Sequence, residues 1–424
     1  MSKLRLRQAM PALFTAAALL MLSACGQTEY PNSTFTRITD FNTAIDSLWE
    51  RLLFWGTIVF VVVEAALIFT IIKYRKRPGG PEAKQIHGNA VLEITWTAIP
   101  ALILVLIAVP TVKTIFQTQA PAPAGSIRIQ VIGHQWWWEF RYPDLGIVTA
   151  NEVYVPIGKT ASFELTTKDV LHSFWIPQMG GKRDLITNKT NYMWFTPNAD
   201  LGTQAYNGFC TEYCGASHAN MRIRLFAVQQ DEFERWAKHQ AKPAVFNPKA
   251  AAMAAAAPAT PVRAASNTQG GAVAAAEPAV DTSGYMFPAE KLPAHVIPQT
   301  PFPAGLEYDD ALLAGGDATR GATQGFLVGG CIGCHAIDGV PGAISQTGPN
   351  LTHVASRHTI ASGLYRMDGP SLARWIKNAP HMKPGSLMWT IGRGEYDPVL
   401  KTTQKAGLDD RQIADVVAYL LALK

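Results

Sequence analysis

Five side chains able to bind a soft metal lie within or near one short segment. Cys210-Thr211-Glu212-Tyr213-Cys214 is followed by His218 and Met221, and a second imidazole, His172, precedes it at the end of a β-like run. Thiolate, thioether and imidazole together suit copper, whereas oxygen-rich sets suit magnesium or calcium. Two bridging thiolates with one His and one weak ligand per metal would hold a pair of copper ions. A disulfide or a buried apolar cluster would account for the cysteine pair alone. The added His, the Met and the distant His shift the reading to a metal centre.

A second pattern, Cys331-Ile332-Gly333-Cys334-His335, matches the attachment signature of a c-type haem. Two thiols three positions apart can bond the two vinyl groups while the adjacent His binds iron. Zinc or a redox dithiol would also fit the bare pattern. The surroundings favour haem: Asp317 can cap a short helix leading toward the motif, and Gly348-Pro349 makes a turn for the haem edge. Ile413, Val416, Val417 and Leu420 mark the buried face of a C-terminal helix over 409–423. A thioether as sixth ligand raises the potential of the iron. Lys383-Pro384-Gly385-Ser386-Leu387-Met388 resembles the cytochrome segment in which Met ends a Pro-Gly loop, so Met388 is chosen. Met382 and Met367 then read as core filler.

With Gly133-His134-Gln135-Trp136-Trp137-Trp138 upstream, the first loop resembles the dinuclear CuA domain of cytochrome c oxidase subunit II. The resemblance implies that Cys210 and Cys214 bridge the coppers and that His172, His218, Met221 and the carbonyl of Glu212 complete the set. It further implies that the Glu212 side chain reaches a magnesium ion shared with subunit I, that Trp136 relays electrons to copper, and that Trp138 packs near the site. Phe209 stands where the family usually has Gln, a position that binds no copper. The stretch from His87 to Thr97 resembles the start of the family's second helix. That implies Glu93 at the mouth of a proton channel in the catalytic subunit.

These residues must be positioned by several elements. The expected fold class is a multidomain membrane protein with a transmembrane helical hairpin, a cupredoxin-like β-sandwich and an all-α cytochrome c domain. Residues 1–24 read as an export signal ending in a lipoprotein-like box, with Cys25 the lipidated residue. Residues 25–48 form an exported segment and 49–114 the hairpin. The copper domain spans 115–240, an Ala/Pro-rich linker and strap 241–311, and the cytochrome domain 312–424. Two apolar runs, 52–72 and 94–112, are each near the ~20 residues that cross a bilayer. Lys73, Arg75, Lys76 and Arg77 between them place that loop in the cytoplasm. Everything after the second span is then outside, on the periplasmic or extracellular side of a bacterial inner or plasma membrane. Glu64, inside the first span, reads as facing another subunit. Alternation in 127–131, 161–165 and 221–228, with a further strand over 152–156, predicts the sandwich. A net charge of only +5 over 424 residues gives no nucleic-acid surface.

Joined in one chain, the parts resemble subunit II of a caa3-type oxidase. That implies subunits I and III as partners, an upstream cytochrome c or quinol–cytochrome c reductase as donor, and oxygen reduction with proton pumping elsewhere in the complex. Two other classes compete. A membrane-tethered CuA/haem c shuttle could serve another reductase, such as one acting on nitrous oxide, but would need neither Glu93 nor a two-span hairpin. A structural subunit of a quinol oxidase would lack the copper ligands.

Overall fold

The computed structural model describes residues 30–75, 78–80, 87–244 and 285–424. The export signal, Cys25, Lys76, Arg77 and the Ala-rich linker 250–265 lie outside the described residues.

Two apolar helices come first, α1 (Asp40–Lys73) and α2 (Ala90–Gln119). At about 1.5 Å per residue they run about 51 and 45 Å, well beyond a hydrocarbon core of about 30 Å. The excess is anchored in the next domain. Thr39 caps α1, accepting from Asn42 N at 3.1 Å and donating to Met179 O at 2.7 Å. Phe41 is buried beside Gly181, and Trp194 Nε1 donates to Ala120 O at 2.7 Å just after α2. The start of α1 and the end of α2 run past the apolar runs to reach these contacts with the copper domain. The outer faces of both helices carry exposed Phe, Leu, Ile and Val, as a lipid or protein surface requires.

Ten strands follow: β1 (Ile127–His134), β2 (Trp137–Tyr142), β3 (Ile147–Ala150), β4 (Glu152–Pro156), β5 (Ala161–Thr167), β6 (His172–Trp175), β7 (Arg183–Leu185), β8 (Asn191–Phe195), β9 (Gln204–Cys210) and β10 (Arg222–Val228). They form two five-stranded sheets, ordered β3-β2-β1-β5-β8 and β4-β10-β9-β6-β7. Pairing is antiparallel except for β1 with β5 and β10 with β4. The predicted alternation holds in β1 and β5: Ile129, Val131, Phe163 and Leu165 are buried between the sheets. In β4 every residue is buried. Its second face is covered by α3 (Gln230–Gln240), where Trp236 stacks on Tyr154 at 4.6 Å, and by the strap, where Phe287 packs on Phe226.

The strap ties both cores together, Tyr285, Phe287 and Val296 joining the sandwich and Leu306 and Tyr308 the C-terminal domain. That domain contains α4 (Ala318–Arg320), a wide-turned helical stretch Gly321–Leu327, α5 (Gly369–Lys377), α6 (Ala379–Met382) and α7 (Asp410–Leu420), with two short two-stranded ribbons. Asp317 caps α4 as expected, accepting from Thr319 N and Arg320 N. The glycines of this segment, poor helix formers by propensity, have a packing reason. A Cβ at Gly321 would lie 1.9 Å from Asp415 O, and one at Gly325 would lie 2.2 Å from Val416 Cγ2. Only glycine lets this segment cross α7 so closely.

Candidate metal centre

The copper-type loop joins β9 to β10, and its partner His172 opens β6, the strand beside β9. Phe174 pairs with Cys210 in the ladder, so His172 and Cys210 are brought to one end of the sandwich by strand register. Cys210 Sγ lies 3.8 Å from Cys214 Sγ and 3.8 Å from His172 Nδ1. Cys214 Sγ lies 3.6 Å from His218 Nδ1 and 3.4 Å from Met221 Sδ. Glu212 O faces Cys210 Sγ at 3.3 Å, while the Glu212 side chain points out to solvent. The sulfurs are far beyond the ~2.05 Å of a disulfide. Among the described residues, His172, Cys210 and Cys214 are the one group of three His, Cys or acidic side chains whose donor atoms converge within 4.8 Å. A soft donor set with two sulfurs side by side fits a dinuclear copper centre. The hydrogen bond between the two thiols holds Cys210 well below the usual thiol value, to about 4, and pushes Cys214 up.

Residues around this set hold it in place, and one of them, Asp169, was not singled out by sequence. Asp169 Oδ1 accepts from His172 Nε2 at 2.8 Å, which turns Nδ1 toward the sulfurs. Burial pulls the His172 pKa down, but Asp169 and Cys210 outweigh it and the net shift is upward. Asp169 Oδ2 also accepts from Gln135 N at 2.7 Å. Gln135 Nε2 and Trp136 Nε1 both donate to Cys214 O, at 2.7 and 3.0 Å. Trp138 is fully buried against His172 and Phe174 and donates to Met221 O, a packing and orienting role. Nothing about the type of Asp169 distinguishes it. Its only sequence signal is a place three residues before His172, where a turn can fold back.

In the C-terminal domain a cavity is lined by Cys331, Cys334, His335, Met388, Arg357 and apolar side chains from α5 and α7. His335 Nδ1 faces Pro349 O at 2.8 Å, and a Cβ at Gly348 would meet the ring at 2.7 Å, so the Gly-Pro turn sets the imidazole with Nε2 free. Burial lowers the His335 pKa and keeps it neutral, as a metal ligand must be. Arg357 is buried, its pKa lowered to about 10, and its Nε has no hydrogen-bond partner. Its Nη2 donates to Asn350 O, but with Nε unpaired and no carboxylate bonded to it among the described residues, this buried cation at an apolar cavity fits a carboxylate-bearing occupant such as haem better than zinc. Met382 lies in α6 within the domain core and is absent from the cavity wall; Met388 and Met367 both line it. Glu93 sits in the first turn of α2, accepting from Asn89 N while Asn89 Oδ1 accepts from Leu92 N, a reciprocal cap. Glu64 is half-buried on α1.

The same cavity reaches Trp136 across the junction of the two domains. The indole lies between Gly215, in the copper loop, and Gly385, in the loop ending at Met388. A Cβ at either glycine would come within 3.0 Å of the ring, and both have positive φ, so glycine serves twice at each. Glu152, only 2% exposed, accepts from His358 N, Thr359 N and Thr359 Oγ1 of the cytochrome domain. Arg224, its neighbour across the β4–β10 ladder, donates to Gly363 O and Val296 O.

Comparison with known proteins agrees with this architecture. Residues 39–114 match the transmembrane domain family of cytochrome c oxidase subunit II, 145–228 its periplasmic domain family, and 319–424 the cytochrome c family. The chain is 33% identical over 337 residues to a cytochrome c oxidase subunit 2 from Alkalihalophilus pseudofirmus, covering 78% of this chain and 77% of that protein. It is 26% identical over 395 residues to the cytochrome c oxidase subunit 2 of Bacillus subtilis, covering 89% and 90%. The crystal structure of the periplasmic domain of cytochrome oxidase subunit II from Bradyrhizobium japonicum shares 32% identity, covering 28% of this chain and 96% of that one with a TM-score of 0.27.

Proposed function

This chain belongs to the cytochrome c oxidase subunit II family, and on that premise we propose that it is the electron-accepting subunit of a caa3-type terminal oxidase. As a family member it is a component of a haem–copper oxidase complex, a membrane protein with an exterior copper domain that works beside subunit I and a redox partner. In the proposal the cytochrome domain receives electrons from an upstream cytochrome c or quinol–cytochrome c reductase. The copper domain delivers them to subunit I, where oxygen becomes water and protons are pumped. Subunit III completes the complex. The setting is a bacterial inner or plasma membrane, with Cys25 lipidated after removal of 1–24 and the domains bounded as read from sequence.

Dinuclear copper and covalent haem, when bound, supply the one-electron chemistry that no side chain here offers. The chain's own residues hold and orient. Cys210, Cys214, His172, His218, Met221 and the Glu212 carbonyl are assigned to copper. Cys331 and Cys334 are assigned to the haem vinyl groups, and His335 and Met388 to the iron. Asp169 orients His172 through its outer nitrogen, the usual arrangement for a ligating imidazole. The exposed carboxylate of Glu212 is assigned to a magnesium ion shared with subunit I, and Glu93 to the proton-channel mouth.

One observation carries the electron route. Trp136 is hydrogen-bonded to Cys214 O and packed against Gly385, three residues before Met388. Its ring spans the gap between the two sites. Trp136→Phe keeps an aromatic body and removes the indole N–H. After flash reduction of haem c in the assembled complex, copper reduction should slow greatly while both resting spectra stay near normal. Transfer at the unmutated rate would make Trp136 an ordinary interfacial aromatic.

A further inference from the structure

Lys383 occupies an unusual place for an ammonium group. It belongs to the cytochrome domain, yet it is only 3% exposed because the copper domain covers it. Its Nζ donates to Trp136 O and, at 2.9 Å, to Ser362 Oγ, and Ser362 Oγ in turn donates to Trp136 O at 2.8 Å. Both acceptors of Lys383 are neutral oxygens, so its burial is not offset by a paired carboxylate. Burial lowers its pKa to about 7. A charge held inside without an ion partner is costly unless hydrogen bonds hold it, and here they run to Trp136 O and Ser362 Oγ. The cost coincides with one geometric result. Lys383 grips the backbone of Trp136, Gly385 presses on its ring, and Ser217 of the copper loop donates to Pro384 O between them. Three consecutive residues of the loop leading to Met388 are thus fastened to Trp136 and its neighbours.

We propose that Lys383 is a positioning residue for electron transfer: its ammonium latches the Met388 loop onto the Trp136 carbonyl and keeps the cytochrome domain seated on the copper domain. The inference rests on the electron route proposed above. Without the latch the domain remains tethered through the strap, but each transfer must wait for the loop to settle against the indole. With it, the two domains behave as one transfer unit.

The test uses the whole oxidase complex with haem c reduced by a flash and copper followed directly. In the unmutated complex the transfer should be a single phase, independent of solvent viscosity. Lys383→Met matches the volume without the donor. It should shift the seated-to-unseated ratio roughly 10- to 150-fold, the weight of one charge-assisted hydrogen bond, and make the transfer slower and viscosity-dependent. The sulfur-to-iron band of haem c and the electron paramagnetic resonance of the copper pair should be unchanged, which a general folding defect would not allow. Ser362→Ala removes one acceptor and should introduce the same viscosity dependence; it carries the test if K383M fails to assemble. Viscosity-independent transfer at the unmutated rate in these variants, with W136F still slow, overturns the latch and leaves the route standing. If W136F is also unaffected, the route itself has failed.

Discussion

Asp169→Asn is the sharpest probe of how the copper ligands are held. The carboxylate accepts from His172 Nε2 at 2.8 Å through one oxygen and from Gln135 N at 2.7 Å through the other. An asparagine of the same shape has one oxygen and one NH2. Whichever way the amide turns, a donor faces a donor, and either His172 or Gln135 loses its acceptor. Losing a charge-assisted hydrogen bond costs about 1.5–3 kcal/mol. At about 1.4 kcal/mol per tenfold, that is roughly 10- to 150-fold in affinity, which overlaps the roughly 10–100-fold measured for outer partners of metal-bound histidines. The assay is a competition titration of the full chain against a copper chelator of known affinity, read with the copper-pair resonance. D169N should weaken copper binding in this range while the loaded protein keeps two coppers. Asp169→Ala should be no milder, since it strips both acceptors. Copper affinity equal to that of the unmutated chain in both variants would refute the orienting role, because among the described residues Asp169 makes the one hydrogen bond to His172 Nε2.

Two further outcomes test the ligand assignments. Cys210→Ser should abolish the mixed-valence resonance of the copper pair and lower the copper content, because a hydroxyl cannot replace a bridging thiolate; a retained two-copper signal would remove Cys210 from the bridge. Met388→Ala should eliminate the weak sulfur-to-iron band of oxidised haem c and lower its potential while the haem stays covalently attached. Met382→Ala should keep the band and instead destabilise the domain by about 2–5 kcal/mol, the cost of emptying a buried Met site; the reverse pattern would exchange the two assignments.

Much of the chemistry was legible because it is local. Cys210, Cys214, His218 and Met221 fall within one loop, and Cys331, Cys334 and His335 within one turn, so residue type and spacing alone bring their donors near each other. The alternation of β1 and β5 was legible for the same reason, since a strand's period follows from its own backbone. What could not be read locally is what a second body does to an element's other face. Glu152 and Tyr154 sit where alternation predicts an outward face, yet both are buried, because His358–Thr359 seat on one and Trp236 and Phe287 cover the other. The start of α1 and the end of α2 likewise meet residues far away in sequence, as in the Thr39–Met179 contact, 140 residues apart. Gly321 and Gly325 weaken a helix by propensity alone, and only the crossing of α7 gives them a reason. Asp169 and Lys383 are ordinary charged residues in sequence, and only folding sets one behind a ligand and the other beneath a neighbouring domain. Short-range donor spacing determined which metals and cofactors this chain is suited to hold. Tertiary packing decided how the two sites face each other through Trp136, because that depends on contacts between segments far apart in the chain, to which a periodic pattern carries no reference.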